Sequence, residues 1–339
     1  MLRMGLIGAA AFALAGPAAA QPSDALVAKA KAEKEVVYYT ELIVEQIVRP
    51  LAAAFERKYG IKVTYWRGDS QAAALRLAME HKAARVQADV WSTASGIGAL
   101  LDSGLIERFS IPNAAALPER FRDPAGYWVA TNLIVIGAAL NTGLIAARDR
   151  PRSVEDLLAP RWRNQMVWKP NDVTGAWGFI GNVLTNGGEA RGLAYLRQLN
   201  AQSIAPVAAS TRAILDGVIG GEHALVLGVS AHNTQISVKA GAPVAWLSLG
   251  SAWATPHTIG VTSGAPHPNA ARLLIDFVVS GEGQEIFRQA GYLPARADTP
   301  PLSPAISPEL AGFPVNVIAP EQLERNLAHW SDVYDEIFR

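Results

Sequence analysis

The chain contains no cysteine at any of its 339 positions. This absence excludes disulfide bridges and thiolate metal sites together. Long apolar runs are also lacking: beyond the N-terminal segment, no stretch approaches the roughly 18 uninterrupted apolar residues of a transmembrane helix. The remainder of the chain is therefore expected to fold in water.

No charge of one sign dominates the sequence, because acidic and basic residues number 30 each. There is no basic run of the kind that nucleic-acid binding requires, and there is no acidic tail. Half of the residues are hydrophobic, and we find no internal repeat. The balance predicts a compact globular protein whose partner is a small molecule and not a nucleic acid.

The N-terminus has the pattern of a cleavable export signal. Met1-Leu2-Arg3 is a short cationic start, an apolar run covers residues 6–15, and Ala18-Ala19-Ala20 offers a small-residue cleavage site before Gln21. No cysteine lies near that point, which excludes a lipoprotein anchor. Residues 1–20 are predicted to be a signal peptide. An exported chain without cysteine favours the periplasm.

About 320 mature residues exceed one simple core and favour two domains of roughly 150 residues. Over residues 35–96, apolar strands alternate with amphipathic helices, which is the pattern of a doubly wound α/β sheet. Strands are predicted over 35–40, 61–66 and 88–92, with helices over 23–32, 47–59, 71–82 and after Gly96. Ligands of such sheets bind at the carboxyl ends of the strands. That rim carries Glu41, Asp69, Ser70, Thr93 and Ser95.

A second alternation follows a long extended segment at 127–140. Strands are predicted over 165–169, 204–208 and 224–227, with helices from Gly175, near Leu193 and from Arg212. The chain ends in a predicted helix over Pro320–Phe338, which we expect to pack back on the outside.

The stretch from His267 to Arg296 reads HPNAARLLIDFVVSGEGQEIFRQAGYLPAR. Apolar residues at helical spacing follow Pro268, Ser280 is placed to cap a second helix, and Gly291 is placed to end it. This residue order resembles the hinge-side helices of family 1 extracellular solute-binding proteins, the receptors of ABC importers.

The resemblance implies a two-lobed periplasmic-binding-protein fold of type II, with two doubly wound sheets joined by hinge strands near 129–136 and 254–261. One lobe would comprise residues 21–131 and 254–290, the other 132–253, with 291–339 packing back on both. It also implies a monomer that delivers a small ligand to an inner-membrane ABC permease.

The turn from Lys169 to Trp177 is the strongest candidate for ligand binding. It ends a strand and opens a helix with a hydroxyl and small residues, so free N–H groups would hold an anionic oxygen. In the ferric-binding branch of the resembled family the matching triplet holds an anion, which implicates Thr174, Gly175 and Ala176, flanked by Asp172 and Trp177. The alternative is that Thr174 only caps its own helix.

Further candidates lie at other helix starts. Ser210 and Thr211 open one helix of the second lobe, where Arg212 would add a positive charge. On the first lobe, Ser70, Thr93 and Ser95 offer hydroxyls. Capping alone also explains each of these residues. The acidic Glu41 and Asp69 are suited to a cationic group.

The iron ligands of the ferric-binding branch are missing. Its histidine position falls on Leu42 or Ile43, its glutamate position on Ala94, and its paired tyrosines on Ala231-His232. Ferric ion prefers hard anionic oxygen donors, so no metal and no other cofactor is expected. His232, next to Ser230, remains a candidate ligand-facing donor, with an ordinary loop histidine as the alternative.

The hydroxyl-rich rim predicts a small organic anion or zwitterion, such as a phosphorylated, phosphonate or carboxylate compound. Two alternatives stay open: a ferric receptor with a non-standard ligand set, and a secreted hydrolase. The sequence has no GxSxG elbow, no HExxH, no P-loop and no cysteine nucleophile, so we do not expect an enzyme.

Overall fold

The computed structural model describes residues 21–339. The predicted signal peptide, residues 1–20, lies outside them. No helix within residues 21–339 is long and apolar enough to cross a membrane.

The described residues form twelve α-helices, and most of them alternate with strands. They are α1 (Asp24–Glu33), α2 (Arg49–Tyr59), α3 (Ser70–Lys82), α4 (Ile97–Asp102), α5 (Ala176–Gly187), α6 (Glu189–Asn200), α7 (Thr211–Gly220), α8 (Ala231–Lys239), α9 (Pro268–Val278), α10 (Gly281–Gln289), α11 (Pro308–Ala311) and α12 (Pro320–Phe338). A π-helical turn, Val44–Val48, runs directly into α2.

Twelve strands of the described chain join into one hydrogen-bonded sheet. They are β1 (Glu35–Thr40), β2 (Lys62–Arg67), β3 (Val90–Thr93), β4 (Ile106–Glu107), β5 (Val129–Asn141), β6 (Met166–Trp168), β7 (Ala205–Pro206), β8 (Leu225–Ser230), β9 (Val244–Leu247), β10 (Ala252–Thr262), β11 (Leu293–Pro294) and β12 (Val315–Val317).

The main strand order is β2-β1-β3-β10-β5-β8-β6-β7. A parallel group, β2-β1-β3, lies at one end, and a second parallel group, β8-β6-β7, lies at the other. The long strands β5 and β10 pair antiparallel between them and connect the two groups. The predicted α/β class is confirmed, with the two sheets hydrogen-bonded through their connecting strands.

Local sequence explains most element boundaries. Ser23, Asp69 and Ser280 each accept a hydrogen bond from a backbone N–H at the start of the following helix. Gly60 ends α2 with a φ of 70°, a conformation that glycine adopts without steric cost. Each predicted strand and helix of the described chain is present; β1 and α12 have the predicted bounds, and the ends of the others are moved by a few residues.

Five short elements were not predicted: β4, α8, β9, α11 and β12. The sequence of α8, AHNTQISVK, is rich in residues of low helix propensity, and its buried positions are Ala231, Thr234 and Ser237. No apolar stripe marks it as a helix. The strand β12 forms by pairing with β10, far away in sequence.

Two large apolar clusters make up most of the core. The first surrounds β1 and the family-like helices α9 and α10, and the second surrounds β6 and α5. The helix α12 buries Leu323, Trp330 and Tyr334 in the second cluster. We expected this helix to pack on the outside of the molecule. It does more than that, because its apolar side chains form part of the second core cluster.

The pairing of β5 with β10 is interrupted by a bulge. His257 pairs with Asn132 but Thr258 pairs with Ala130, which leaves Thr131 as the extra residue. The carbonyl of Thr131 accepts a hydrogen bond of 2.9 Å from Gln284 Nε2, and Gln284 is fully buried. Gln284 Oε1 also accepts from Ala295 N at 2.8 Å. The glutamine of the family-like stretch thus holds the bulge in place.

Candidate ligand-binding cleft

Two adjoining cavities lie at the carboxyl ends of β1, β2 and β3, opposite the starts of α5, α7 and α8. Their volumes are about 490 and 830 Å³. Glu41, Asp69, Thr211 and His232 line both cavities, so we treat them as one cleft. The cleft lies at the edge of the sheet where ligands of doubly wound sheets are expected to bind.

Glu41 is the centre of a hydrogen-bond network on the first-half wall. Its Oε2 accepts from Ser70 Oγ at 2.6 Å and its Oε1 from Ala94 N at 2.7 Å. Thr93 is buried beneath them, and its hydroxyl donates to Ser70 Oγ at 2.6 Å. Ser95 lines the smaller cavity beside Glu41. Three of the predicted hydroxyls therefore lie together, although Ser70 and Thr93 serve Glu41 and not a helix cap.

The same network keeps Glu41 ionised. Burial alone would raise the pKa of Glu41, but the hydrogen bond and charge of His257 and the donors Ser70 and Ala94 N together lower it. His257 Nε2 lies 3.3 Å from Glu41 Oε1. The cleft therefore holds a half-buried carboxylate. Asp69 adds a second one at the rim, where it also caps α3.

On the opposite wall, the prediction of free N–H groups at Thr174, Gly175 and Ala176 is wrong for this conformation. Thr174 N and Oγ1 both donate to Asp172 Oδ1, at 2.8 and 2.6 Å. Gly175 N donates to the carbonyl of Asp172 and Ala176 N to that of Lys169. The side chain of Asp172 takes the place of the anion, and Lys169 Nζ lies 2.5 Å from its Oδ2.

Gly175 and Ala176 are buried and do not line the cleft. The need for glycine at 175 is internal: an added Cβ would collide with the carbonyl of Lys169. Its Cα is also approached closely by Gly228 of β8. Thr174, Asp172 and Trp177 do line the smaller cavity, as predicted.

Of the two residues predicted to bind ligand at the start of α7, only Thr211 lines the cleft. Ser210 is exposed, accepts from Ala213 N at 3.2 Å and lines neither cavity, so it is a helix cap only. Thr211 lines both cavities, with its Oγ1 3.4 Å from Thr174 Oγ1. Arg212 lines the larger cavity. Its guanidinium donates two hydrogen bonds to the carboxylate of Asp216, so its charge is already paired.

Ser230 and His232 both face the cleft. Ser230 is buried at the end of β8 and lines the smaller cavity. The ring of His232 stacks on Tyr292 with centroids 4.2 Å apart and planes inclined by 17°. Burial, with a smaller contribution from the charge of His257, lowers the pKa of His232 to about 3. His232 is therefore a neutral imidazole.

Sequence reasoning missed six polar residues of the larger cavity: Gln46, Arg67, Asn132, Asn233, His257 and Tyr292. Arg67 ends β2, so the carboxyl-end rule would have found it. Asn132 and His257 are nearly fully buried. A polar residue inside an apolar strand is unusual, and this feature of the sequence could have marked both as candidate site residues. Within residues 21–339, Asn132 Nδ2 has no hydrogen-bond partner, whereas His257 Nε2 faces Glu41 Oε1 at 3.3 Å.

The charges around the cleft are of both signs. Lys169 is neutralised by Asp172, and Arg212 by Asp216. Arg67 donates to the carbonyl of Leu42 at 3.2 Å and has no carboxylate within 4.0 Å in the described chain. Across residues 21–339 no group of three or more His, Asp or Glu side chains is arranged to hold a metal ion.

Two α/β groups joined by long antiparallel strands, with a charged cleft at their rims, define the class of two-lobed ligand-binding proteins. The sequence signature of the bacterial extracellular solute-binding proteins matches residues 19–293. The chain belongs to that family, which is made of binding proteins and not of enzymes.

Known relatives agree with this assignment. A putative 2-aminoethylphosphonate-binding periplasmic protein of Salmonella typhimurium is 27% identical over 263 residues, which are 73% of this chain and 74% of the relative. Iron-bound HitA from Pseudomonas aeruginosa superposes with a TM-score of 0.73 at 21% identity, covering 88% of this chain and 99% of the other. AfuA from Actinobacillus pleuropneumoniae, with exogenous fructose-6-phosphate bound, gives 0.71 at 21% identity, covering 89% and 98%. These two structures share the two-lobed fold with this chain.

Proposed function

We propose that this protein captures a small organic zwitterion or anion bearing a phosphonate or phosphate group and delivers it to an ABC permease. The observation that carries the proposal is the charge pattern of the cleft: Arg67 without a carboxylate partner, and the ionised Glu41, line the same cavity. A ligand with an oxyanion at one end and an ammonium at the other matches both charges.

Each charge has a specific assignment in this proposal. Arg67 binds the oxyanion through guanidinium N–H groups, since Arg suits planar recognition of oxygen pairs. Glu41 and Asp69 face the ammonium group. The buried amide Nδ2 of Asn132 donates to a ligand acceptor, which removes the cost of an unpaired buried donor.

Around these charges, neutral groups of both walls complete the site. They are Ser70, Thr93, Ser95, Thr174, Trp177, Thr211, Ser230, His232 and Tyr292, together with Asp172, whose charge is paired with Lys169. Thr174 and Thr211 offer hydroxyls, and His232 offers a neutral ring. Thr93 acts from below, through Ser70.

The relatives support the ligand class. 2-Aminoethylphosphonate, which the Salmonella relative is named for, carries both a phosphonate and an ammonium group. Fructose-6-phosphate, found in the AfuA structure, carries a phosphate. Both are small organic compounds with a phosphorus oxyanion, a class that pockets of several hundred Å³ accommodate.

The cellular setting follows from the same proposal. Residues 1–20 direct export and are removed, and the mature chain works as a periplasmic monomer. Residues 21–131 with 254–290 and residues 132–253 rotate as two lobes about β5 and β10, and residues 291–339 pack on both. The ligand leaves unchanged, because the protein binds and does not convert it.

A thermal-unfolding screen tests the ligand class. The mature protein is heated with 2-aminoethylphosphonate, fructose 6-phosphate, inorganic phosphate, succinate or ferric citrate. At one fixed ligand concentration the stabilisation grows as Kd falls, reaching about 2.7 kcal/mol where that concentration is 100 times Kd, so the order of Tm shifts gives the order of affinities. We expect 2-aminoethylphosphonate to lead.

Two outcomes contradict the proposal. A shift with ferric citrate alone identifies an iron receptor with a non-standard ligand set. Chemical conversion of any bound compound, followed by ³¹P NMR at stoichiometric protein, identifies a hydrolase.

A further inference from the structure

The helix α12 is anchored in the second half of the molecule. Trp330 and Tyr334 are buried in the apolar cluster around β6 and α5. An added Cβ at Gly181 of α5 would collide with the Trp330 ring. Arg197 of α6 binds Glu336 at 2.9 Å. The helix therefore packs against α5 and α6 as part of one core.

The first turns of α12 reach across to the other half. Glu321 Oε1 accepts a hydrogen bond of 2.8 Å from Trp128 Nε1. One turn later, Glu324 Oε2 accepts a hydrogen bond of 2.9 Å from the backbone N–H of Gly98 in α4. A Cβ at Gly98 would collide with that carboxylate oxygen. Only glycine at 98 permits this approach.

Gly98 is separated by a few residues from the cleft. The loop before α4 carries Ala94 and Ser95, which line the smaller cavity. Ala94 N donates to Glu41 Oε1 at 2.7 Å. Leu327 of α12, one turn after Glu324, lines the same cavity. The segment 94–98 is thus hydrogen-bonded at one end to Glu324 of α12 and at the other end to the carboxylate of Glu41.

The environment of Glu324 lowers the stability of the folded protein, which is unexpected for a residue whose only role is to stabilise the fold. Its Oε1 is buried and has no hydrogen-bond partner within residues 21–339. Burial raises the pKa of Glu324, although the N–H groups at the start of α4 oppose this effect. A buried carboxylate oxygen without a donor lowers stability, and such exceptions in native proteins call for an explanation.

We propose that Glu324 is a positioning residue for ligand binding, which holds the 94–98 segment of one half against a helix that belongs to the other. This inference rests on the proposed function, because it makes the geometry of Glu41 depend on α12. The C-terminal helix then sets the orientation of the carboxylate that meets the ligand, without contacting the ligand through Glu324 itself.

The test compares three variants of the mature protein: Glu324→Ala, Glu324→Gln and Glu321→Ala. Glutamine keeps an acceptor for Gly98 N. Glu321→Ala is the matched control, since it removes a hydrogen bond between the same two halves that does not lead to the cleft. Calorimetric titration with 2-aminoethylphosphonate should give about tenfold weaker binding for Glu324→Ala, the size of one lost hydrogen bond to a charged group. Glu324→Gln and Glu321→Ala should stay within about threefold of wild type, the common spread of such effects.

A second readout needs no ligand. Hydrogen exchange of the amides in residues 94–98 should be about tenfold faster in Glu324→Ala, and unchanged in Glu321→Ala, because only the former frees Gly98 N. Glu324→Asp, which keeps the charge but shortens the reach, replaces Glu324→Ala if the latter does not fold.

Equal affinity losses in Glu324→Ala and Glu321→Ala, or unchanged exchange at 94–98, would overturn the inference. If the wild-type protein binds none of the compounds, the proposed function fails on its own, and the exchange comparison still decides the role of Glu324.

Discussion

His232 and Tyr292 stack nearly face to face on the lining of the cleft, with ring centroids 4.2 Å apart and planes inclined by 17°. The two residues are far apart in sequence: His232 belongs to α8, and Tyr292 to the segment after α10. Burial raises the pKa of Tyr292, so its hydroxyl stays protonated at neutral pH. The pair presents a neutral, aromatic floor beside the charged groups.

The neutral state of His232 predicts a pH dependence of stability. Its pKa is lowered from 6.5 to about 3 in the folded protein, so between these values the unfolded chain binds the extra proton. Unfolding free energy should therefore fall as pH decreases below 6.5, by at most about 1.4 kcal/mol per pH unit from this one group. Urea unfolding of wild type and His232→Gln between pH 7 and pH 5 measures it. A slope that is the same in both proteins would contradict the lowered pKa.

Arg67 should carry the affinity for the oxyanion. Arg67→Gln removes the cleft guanidinium that lacks a carboxylate partner and should weaken 2-aminoethylphosphonate binding about 10- to 100-fold, as for a lost charge-assisted hydrogen bond. Arg212→Gln is the matched control, because Arg212 lines the same cavity but is paired with Asp216. Isothermal titration of both variants decides the matter. A larger loss of affinity in Arg212→Gln than in Arg67→Gln would contradict this assignment and would indicate that the oxyanion binds at the start of α7.

Glu41 should distinguish ligands by their amino group. Glu41→Gln removes the negative charge but keeps the size of the side chain, so it should weaken 2-aminoethylphosphonate binding about tenfold. Ethylphosphonate, which lacks the ammonium group, should bind the variant at least as tightly as it binds wild type. Competition titrations with the two compounds give the comparison. Parallel losses for both would show that Glu41 supports the fold of the rim and does not recognise the ammonium.

Asp172 should behave as an internal counter-ion. Asp172→Ala leaves Thr174 N, Thr174 Oγ1 and Lys169 Nζ without their acceptor. We expect a loss of about 1–3 kcal/mol in unfolding free energy. Inorganic phosphate should then raise the Tm of the variant more than that of wild type.

Asp156→Ala is the control for this experiment, since Asp156 also accepts two backbone N–H groups, from Arg152 and Ser153, but lies outside the cleft. It should lose stability without gaining a phosphate response. The same phosphate response in both variants would remove the anion-like role of Asp172.

Gly228 should tolerate no side chain. Its φ is 75°, and an added Cβ would lie 2.6 Å from the Cα of Gly175. Gly228→Ala should cost several times the roughly 1 kcal/mol of backbone strain alone. Gly60→Ala isolates the strain, because Gly60 has a similar φ of 70° and no atom near its added Cβ. Thermal unfolding of the two variants should separate clash from strain, and equal losses would contradict the close packing of the turn.

Much of the fold was predictable because local signals coincide with its elements. Apolar periodicity defined α9 and α10, and Ser280 and Gly291 mark the start of α10 and the turn that follows it. The strand β1 was predicted with its observed bounds. The elements α8 and β12 were missed because their residues fold through contacts that are distant in sequence, which local propensity does not encode.

The sequence predicted which sheet edge carries the cleft, but only part of the hydrogen bonding within it. A sequence shows that Thr174 and Gly175 open a helix, but it does not show which acceptor their N–H groups find. Asp172, two residues earlier, supplied that acceptor and closed the site to an external anion. Conversely, Asn132 and His257 sit inside apolar strands, and their role depends on a pairing register that the sequence alone does not fix.

The bulge at Thr131 has a consequence for transport. It lies where β5 and β10 bend between the two halves, and its hydroxyl is 2.9 Å from Asn132 Oδ1 and 3.1 Å from His257 Nδ1. Asn132 and His257, which line the larger cavity, are thus hydrogen-bonded to the bulge. We expect the shape of the cargo to set the angle of closure, so that affinity and uptake become separate quantities. A tight-binding analogue that leaves the angle too wide would occupy the protein without being imported, and would act as an inhibitor of uptake.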